Sequence, residues 1–144
     1  MAKRDYPAAI RELRLAILQN PDGAAEHRVL GQALLLTNQQ DEAVRELRAA
    51  VALDPESSLA HHFLGTALLE IQKPDSAAEE FREALRLEGT ADNHYDLAAC
   101  LMSMGQYDQA LAELEIAAQM APGQQLYRAR KEELIQLMKT QVAR

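Results

Sequence analysis

An all-α solenoid of helix-turn-helix units, closed by a C-terminal capping helix, is the fold that this sequence of 144 residues predicts. The first observation is a recurrence every 34 residues: Leu30-Gly31 returns as Leu64-Gly65 and, weakened, as Leu97-Ala98 after a step of 33. Ala43 returns as Ala77 and Ala110, Leu47 as Phe81 and Leu114, and Ala50 as Ala84 and Ala117. Pro55 and Pro122 close two of the units, with Gly89 in the equivalent place of the third. Such a period marks stacked units, each burying its apolar face against its neighbours. The second observation is composition. Leu, Ala, Glu, Arg and Gln dominate, β-branched residues are few, and aromatics make up 4%, which is helix chemistry. The third is that no alternating strand pattern occurs anywhere.

The elements follow in order. Helices are expected over 6–20, 24–37, 41–53, 58–71, 75–87, 91–104, 108–120 and 124–142. Asp41, Asp75 and Asp108 stand where three of them need N-caps, each offering a carboxylate to free backbone N–H groups. Pro55 and Pro122 follow helix ends, where a missing N–H is harmless. Gly31 and Gly65 would be costly inside helices unless they let neighbouring helices approach closely. In the last helix Leu126, Leu134, Leu137 and Met138 form an inward stripe, while Arg128, Lys131, Glu132, Glu133 and Lys139 stay in water.

Many positions agree together in the second half of each unit. Asp-Glu-Ala-Val-Arg-Glu-Leu-Arg-Ala-Ala from Asp41 parallels Asp-Ser-Ala-Ala-Glu-Glu-Phe-Arg-Glu-Ala from Asp75 and Asp-Gln-Ala-Leu-Ala-Glu-Leu-Glu-Ile-Ala from Asp108. With the period, these residues resemble the tetratricopeptide repeat (TPR). The resemblance implies a right-handed α-solenoid with three full repeats, one leading half-repeat and a cap. The expected division of the single domain 1–144 is a half-repeat 6–23, repeats 24–57, 58–90 and 91–123, and a capping helix 124–144. Two departures are local: the family's Trp is His27, His61 and His94 here, and its Tyr is Leu34, Leu68 and Leu101. Both exchange one packing residue for another.

The half-repeat is read from Ala9, Leu13, Ala16 and Pro21, which stand 34 residues before Ala43, Leu47, Ala50 and Pro55. Tyr6 stands three before Ala9, as Tyr107 does before Ala110. A second helix without its first leaves Ile10, Leu13 and Ile17 partly uncovered. Terminal repeats carry a polar outer face for solubility, so this start reads as a cut end or a docking face.

Composition narrows the function. The chain is 48% hydrophobic and 26% charged, an ordinary globular balance. Its net charge is −7 and its isoelectric point about 5.1, with no basic run beyond Arg128-Ala-Arg-Lys131, which speaks against nucleic acid as a partner. No apolar run reaches the length of a membrane span and no signal peptide opens the chain. A cytoplasmic location is expected, unless a targeting segment was lost from a cut N-terminus. The single Cys100 excludes an internal disulfide and falls at a small-residue place, where a buried, inert thiol is expected.

Catalysis is not expected. There is no Gly-rich phosphate loop and no nucleophile elbow. His27, His61 and His94 form a ladder, but equivalent places on adjacent helices lie about 8–10 Å apart, and Zn–N bonds are about 2.0–2.1 Å. The three are expected to pack rather than to hold a metal, and no cofactor is expected.

What remains is the surface. In the TPR family the first helix of each unit lines a concave groove that holds a peptide or partner helix. Carried onto this sequence, the groove places are Arg28, Gln32, Leu35 and Leu36 in the first unit and Leu59, His62, Thr66, Leu69 and Glu70 in the second. The third unit supplies Asp92, Tyr95, Asp96, Ala99, Met102 and Ser103. An apolar row (Leu35, Leu69, Met102) then runs beside a polar row (Arg28, His62, Tyr95), although the apolar row also suits packing between helices. The family's carboxylate clamp for acidic chaperone tails is argued against. Asp92 and Asp96 stand where its Lys and Arg belong, and Phe63 replaces an Asn. These acids favour a basic or neutral ligand group near the third repeat. The expected function is a non-catalytic scaffold that binds a partner peptide or helix. The alternatives are self-association through the open N-terminal end, or the interaction region of a longer enzyme.

Overall fold

The computed structural model describes residues 5–143, among which there are eight α-helices and no strand. They are α1 (Tyr6–Gln19), α2 (Ala24–Leu36), α3 (Gln40–Leu53), α4 (Ser58–Glu70), α5 (Pro74–Leu87), α6 (Ala91–Ser103), α7 (Tyr107–Met120) and α8 (Gln125–Val142). The chain is an all-α solenoid in which α2/α3, α4/α5 and α6/α7 form successive antiparallel pairs.

The expected aspartate caps are corrected. Asp41, Asp75 and Asp108 lie in the first turns of α3, α5 and α7, and the N-cap residues are Gln39, Lys73 and Gln106, none of which caps with its side chain. The aspartates act instead through the positive end of the helix. Pro74 takes the first helical place, where it needs no N–H. True side-chain caps occur at Asp5, Ser57 and Thr90, which accept from the amides of Ala8, Ala60 and Asn93.

Each pair reverses through the same turn. Asn38, Gln72 and Gly105 are left-handed, with φ of 57°, 61° and 73°. The next amide in each case donates back to the first helix: Gln39 to Leu34, Lys73 to Leu68 and Gln106 to Leu101, at 2.9, 2.9 and 2.8 Å. This is the hydrogen bonding that closes a helix with a left-handed residue.

The core lies between the layers. Leu34, Leu47, Phe81, Leu114 and Leu134 are fully buried, as are Ala43, Ala77, Ala98 and Ala110. Leu47 and Phe81 lie directly on the backbone of Gly31 and Gly65, where a Cβ atom would stand within 3 Å of the facing side chain. The histidine ladder ties the pairs together. His27, His61 and His94 donate from Nδ1 to Glu46, Glu80 and Glu113 at 2.7, 2.7 and 2.6 Å. In the first two, Nε2 lies 3.0 and 2.9 Å from the carbonyls of Pro21 and Pro55.

Two expectations about the ends change. Ile10 is buried, because it faces α2 rather than the open side, whereas Leu13 and Ile17 are half-buried and Ala9 is exposed. In α8 the inward stripe runs through Tyr127 and Leu134 with Met138 partly buried, while Leu126 and Leu137 are exposed. Lys131 is half-buried and reaches Glu115 at 3.8 Å rather than standing in water. A shift of one residue in the starting phase moves the stripe from Leu126 to Tyr127. Among the described residues no helix is long and apolar enough to cross a membrane.

Candidate functional site

First helices touch one another, α2 with α4 and α4 with α6, whereas α3, α5 and α7 contact chiefly first helices. The first helices are therefore the tighter, inner layer, and their free sides form the concave face. Three recesses adjoin there.

The first lies between α2 and α4 and is lined by Gln32, Leu35, Leu36, His62, Phe63, Thr66 and Glu70. Its floor is apolar. Leu35 and Phe63 pack partly into the core, while Leu36 is 57% exposed. The Thr66 hydroxyl is turned back onto the carbonyl of His62 at 3.0 Å, so its methyl contributes more to a ligand surface than its oxygen.

The second recess, lined by Leu69, Gln72, Pro74, Ala99, Met102, Ser103 and Arg130, joins α4 and α6 to the last helix. Leu69 and Met102 are both partly buried against the core, so the apolar row serves packing and groove at once. The Ser103 hydroxyl bonds to the carbonyl of Ala99.

The third recess is lined by His62, Asp92, Tyr95, Asp96, Gln124, Leu126 and Tyr127. His62 donates from Nδ1 to the side-chain carbonyl of Asn93 at 2.7 Å, and Asp96 lies 3.6 Å from the same nitrogen. Asn93 is itself buried and donates to the carbonyl of Glu88. The His62 ring sits edge-on to Phe63 and Phe81, at centroid distances of 5.2 and 5.8 Å. Burial pushes the Asp96 carboxyl up to about 6; the His62 charge opposes this and the Asp92 charge adds to it.

Asp92 is already engaged. The hydroxyl of Tyr127 donates to its carboxylate, and the Tyr95 and Tyr127 rings pack at 5.2 Å. Burial first, and then that bond, push the Tyr127 hydroxyl up to about 12. Of the two acids near the third pair, only Asp96 is left without such a donor from the last helix.

Leu59 and Arg28 fall outside these three recesses. They share a separate hollow with Ala24, Ala25, Asp54 and Ser57 at the N-terminal ends of α2 and α4. Tyr127, Arg130 and Asn93 are site residues that the repeat register did not supply, and Phe63 was placed by it only as the replacement of a clamp Asn. Tyr127 and Arg130 belong to α8, which departs from the repeat, and Asn93 occupies a place held by Ala60 in α4. His27, His61 and His94 are each engaged by a glutamate, and no group of three potential metal ligands occurs among the described residues.

Comparison with known proteins agrees with this architecture. A tetratricopeptide repeat profile matches residues 1–58 and 38–94, and a second one matches residues 68–134. No curated relative matches the chain in sequence. Among solved structures the chain is similar to MamA, at 24% identity and a TM-score of 0.83, over 94% of this chain and 85% of that one. It is also similar to TTC0263, a thermophilic TPR protein in Thermus thermophilus, at 23% identity and a TM-score of 0.74, over 88% and 71%. YrrB, described as a TPR protein with an unusual peptide-binding site, aligns at 22% identity and a TM-score of 0.77, over 85% of this chain and 64% of that one.

Proposed function

Because the chain belongs to the tetratricopeptide repeat family, whose members act as protein-interaction scaffolds, we propose that it is a non-catalytic adaptor whose concave face grips a segment of a partner protein. The carrying observation is the pairing of an apolar recess, with Leu36 exposed beside Leu35 and Phe63, and an acidic, aromatic recess around Asp96. The segment that suits both presents an apolar side chain to the first and a Lys or Arg to the second, where Asp96 supplies charge and Tyr95 an aromatic face. The peptide-binding site named for YrrB is in keeping with this reading at the level of the fold.

The surface is modest: three helices of about 20 Å each offer an area at the lower end of standard interfaces, about 1,200 Å² in total. Affinity for one segment is correspondingly moderate. The net charge of −7 does not favour nucleic acid, and an acidic tail would meet Asp92, Asp96 and Glu70 on the same face.

The test is to select peptides from a random display library on the folded chain and to titrate the enriched sequences. Enrichment of an apolar residue with a Lys or Arg is expected. Leu36→Lys, at the exposed residue of the apolar recess, and Asp96→Lys should each weaken binding at least tenfold with the helical circular dichroism unchanged. Enriched peptides indifferent to both variants would place the binding surface elsewhere.

A further inference from the structure

Two neighbouring recesses of the concave face carry opposite charge. The third is acidic through Asp92 and Asp96, of which Asp92 is held by Tyr127. The second is lined by apolar and neutral polar groups and by one charged residue, Arg130 of α8. Tyr95 stands between them: it lines the third recess, and hydrogen bonding to it is the first cause that raises the Arg130 pKa. Asp96 and Arg130 form no ion pair with each other among the described residues. Asp96 lies 3.6 Å from His62, and Arg130 donates to Glu133 at 3.1 Å. The face therefore holds a negative and a positive centre apart instead of cancelling them.

Arg130 keeps donors for a ligand. A guanidinium carries five N–H donors in a planar fork. Its pair with Glu133 lies three residues along the same helix, with side chains 44% and 65% exposed. Such a pair holds weakly, so an arriving carboxylate displaces Glu133 or shares the fork with it. Leu69 and Met102 line the same recess and are partly buried against the core. They exclude water from the contact, which strengthens it. The Ser103 hydroxyl already donates to the Ala99 carbonyl. The side-chain donors that an acid meets there are Arg130 and the Gln72 amide.

We propose that Arg130 makes the second recess a carboxylate site, so that the partner segment carries an Asp or Glu there as well as the Lys or Arg that meets Asp96. The proposal rests on the concave-face reading and adds to it a second charge of opposite sign. The spacing follows from α6, which serves both recesses. Asp96 opens onto the third, and Ala99, Met102 and Ser103 onto the second, three to seven residues further along. That is about 5–10 Å at about 1.5 Å per residue, which an extended segment covers in about two or three residues. The base and the acid of the ligand are therefore near neighbours in its sequence. A segment with the acid alone meets Asp96 and Glu70, and one with the base alone leaves Arg130 unmatched.

The experiment selects one random display library in parallel on the intact chain, on Arg130→Glu and on Asp96→Lys. On the parent, an acid is expected about two or three places from the base. On Arg130→Glu the acid should disappear or give way to a second base, while the base that meets Asp96 remains. On Asp96→Lys the acid should remain and the base should go. If Arg130→Glu does not fold, Arg130→Gln serves in the same selection, with loss of the acid expected. A parent-selected peptide, amidated at its C-terminus, should bind about fivefold more weakly to Arg130→Gln. Replacing its acid with Gln should then add no further loss. Glu133→Gln, which removes the internal partner of Arg130, should not weaken binding. A base without an acid on the parent, or an acid retained when Arg130 is replaced, overturns the proposal and leaves the concave-face reading standing. Equal weakening by Glu133→Gln and Arg130→Gln also overturns it, because the effect then belongs to the pair on α8. Enrichment of neither an apolar residue nor a base removes both.

Discussion

Gly65 of α4 and Phe81 of α5 fit only as a pair: a Cβ on the glycine would stand 2.9 Å from the phenylalanine ring. The third helix pair solves the same contact with Ala98 and Leu114, both fully buried. Gly65→Ala is therefore expected to destabilise the chain by about 1–3 kcal/mol through overpacking, despite alanine's advantage of about 1 kcal/mol in a helix. Adding Phe81→Leu reproduces the Ala98–Leu114 combination and should recover most of the loss. A urea-unfolding cycle measures the coupling. Additive losses would show that the two residues do not constrain each other.

The rungs of the histidine ladder carry energy through satisfaction as much as through charge. His61 is 7% exposed, with Nδ1 on Glu80 and Nε2 at the Pro55 carbonyl. Glu80→Ala leaves a buried donor unpaired, which costs about 1–3 kcal/mol. Removing both partners, as His61→Phe with Glu80→Leu, should cost less than Glu80→Ala alone. Glu12→Ala is the internal control, since no histidine faces Glu12 among the described residues. It should change the unfolding midpoint by no more than an ordinary surface substitution, within about 0.5 kcal/mol.

The period, the helix bounds and the close helix approach at Gly31 and Gly65 were legible in the sequence, because each is a local or strictly recurring constraint. Which large side chain faces each glycine, Leu47 over Gly31 and Phe81 over Gly65, came only with the structure. The groove was legible only where it follows the repeat. The third recess depends on Tyr127, and the second on Arg130, both of which lie on a helix outside the period. The phase of that helix, α8, differs by one residue from the stripe that Leu126 and Leu137 suggest. The capping aspartates were misplaced for a related reason. Asp41, Asp75 and Asp108 all suit a helix start, but the left-handed turn at Asn38, Gln72 and Gly105 starts the next helix one residue earlier. No propensity signals that turn at Gln72.

That turn supplies a stabilising substitution. Gln72 holds φ of 61° where the third pair uses Gly105 at 73°. A non-glycine residue there costs about 1–2 kcal/mol, partly offset by the entropy that glycine loses on folding. Gln72→Gly should raise stability by about 0.5–1 kcal/mol, seen as a higher thermal midpoint, and Asn38→Gly should gain less because Asn tolerates this region. Since Gln72 borders the second recess, peptide affinity measured on the variant separates stability from binding. A lower midpoint would mean that the Gln72 side chain stabilises the turn.

Asp96 makes stability fall as pH rises. Its pKa is raised from 3.8 to about 6, first by burial, so the folded chain holds its proton more tightly than the unfolded chain. The contribution is fully present below about pH 4 and lost as pH climbs through about 6. A shift of about 2 units corresponds to at most about 3 kcal/mol, an upper bound because the Asp96 side chain is 27% exposed. Asp96→Asn removes the titration and should be more stable than the parent at pH 7.5, with the difference shrinking toward pH 4.5. Urea unfolding of both proteins at the two pH values checks this. A difference that is constant with pH would separate Asp96 from the titration.

Cys100 turns the core into its own reporter. The thiol is fully buried on α6, and burial first, with the nearby Asp96 charge second, pushes it up to about 12. Thiolate is the reactive form, so the native chain should resist a disulfide reagent at pH 8 that labels the unfolded chain at once. Labelling then proceeds only through opening, and its rate under native conditions measures the free energy that exposes α6. Gly65→Ala, two helices away along the packed face, should accelerate labelling in proportion to its loss of global stability if the pairs unfold together. A Gly65→Ala chain that is destabilised in urea yet labels at the parent rate would mean that the α6/α7 pair opens on its own, as a quasi-one-dimensional stack permits.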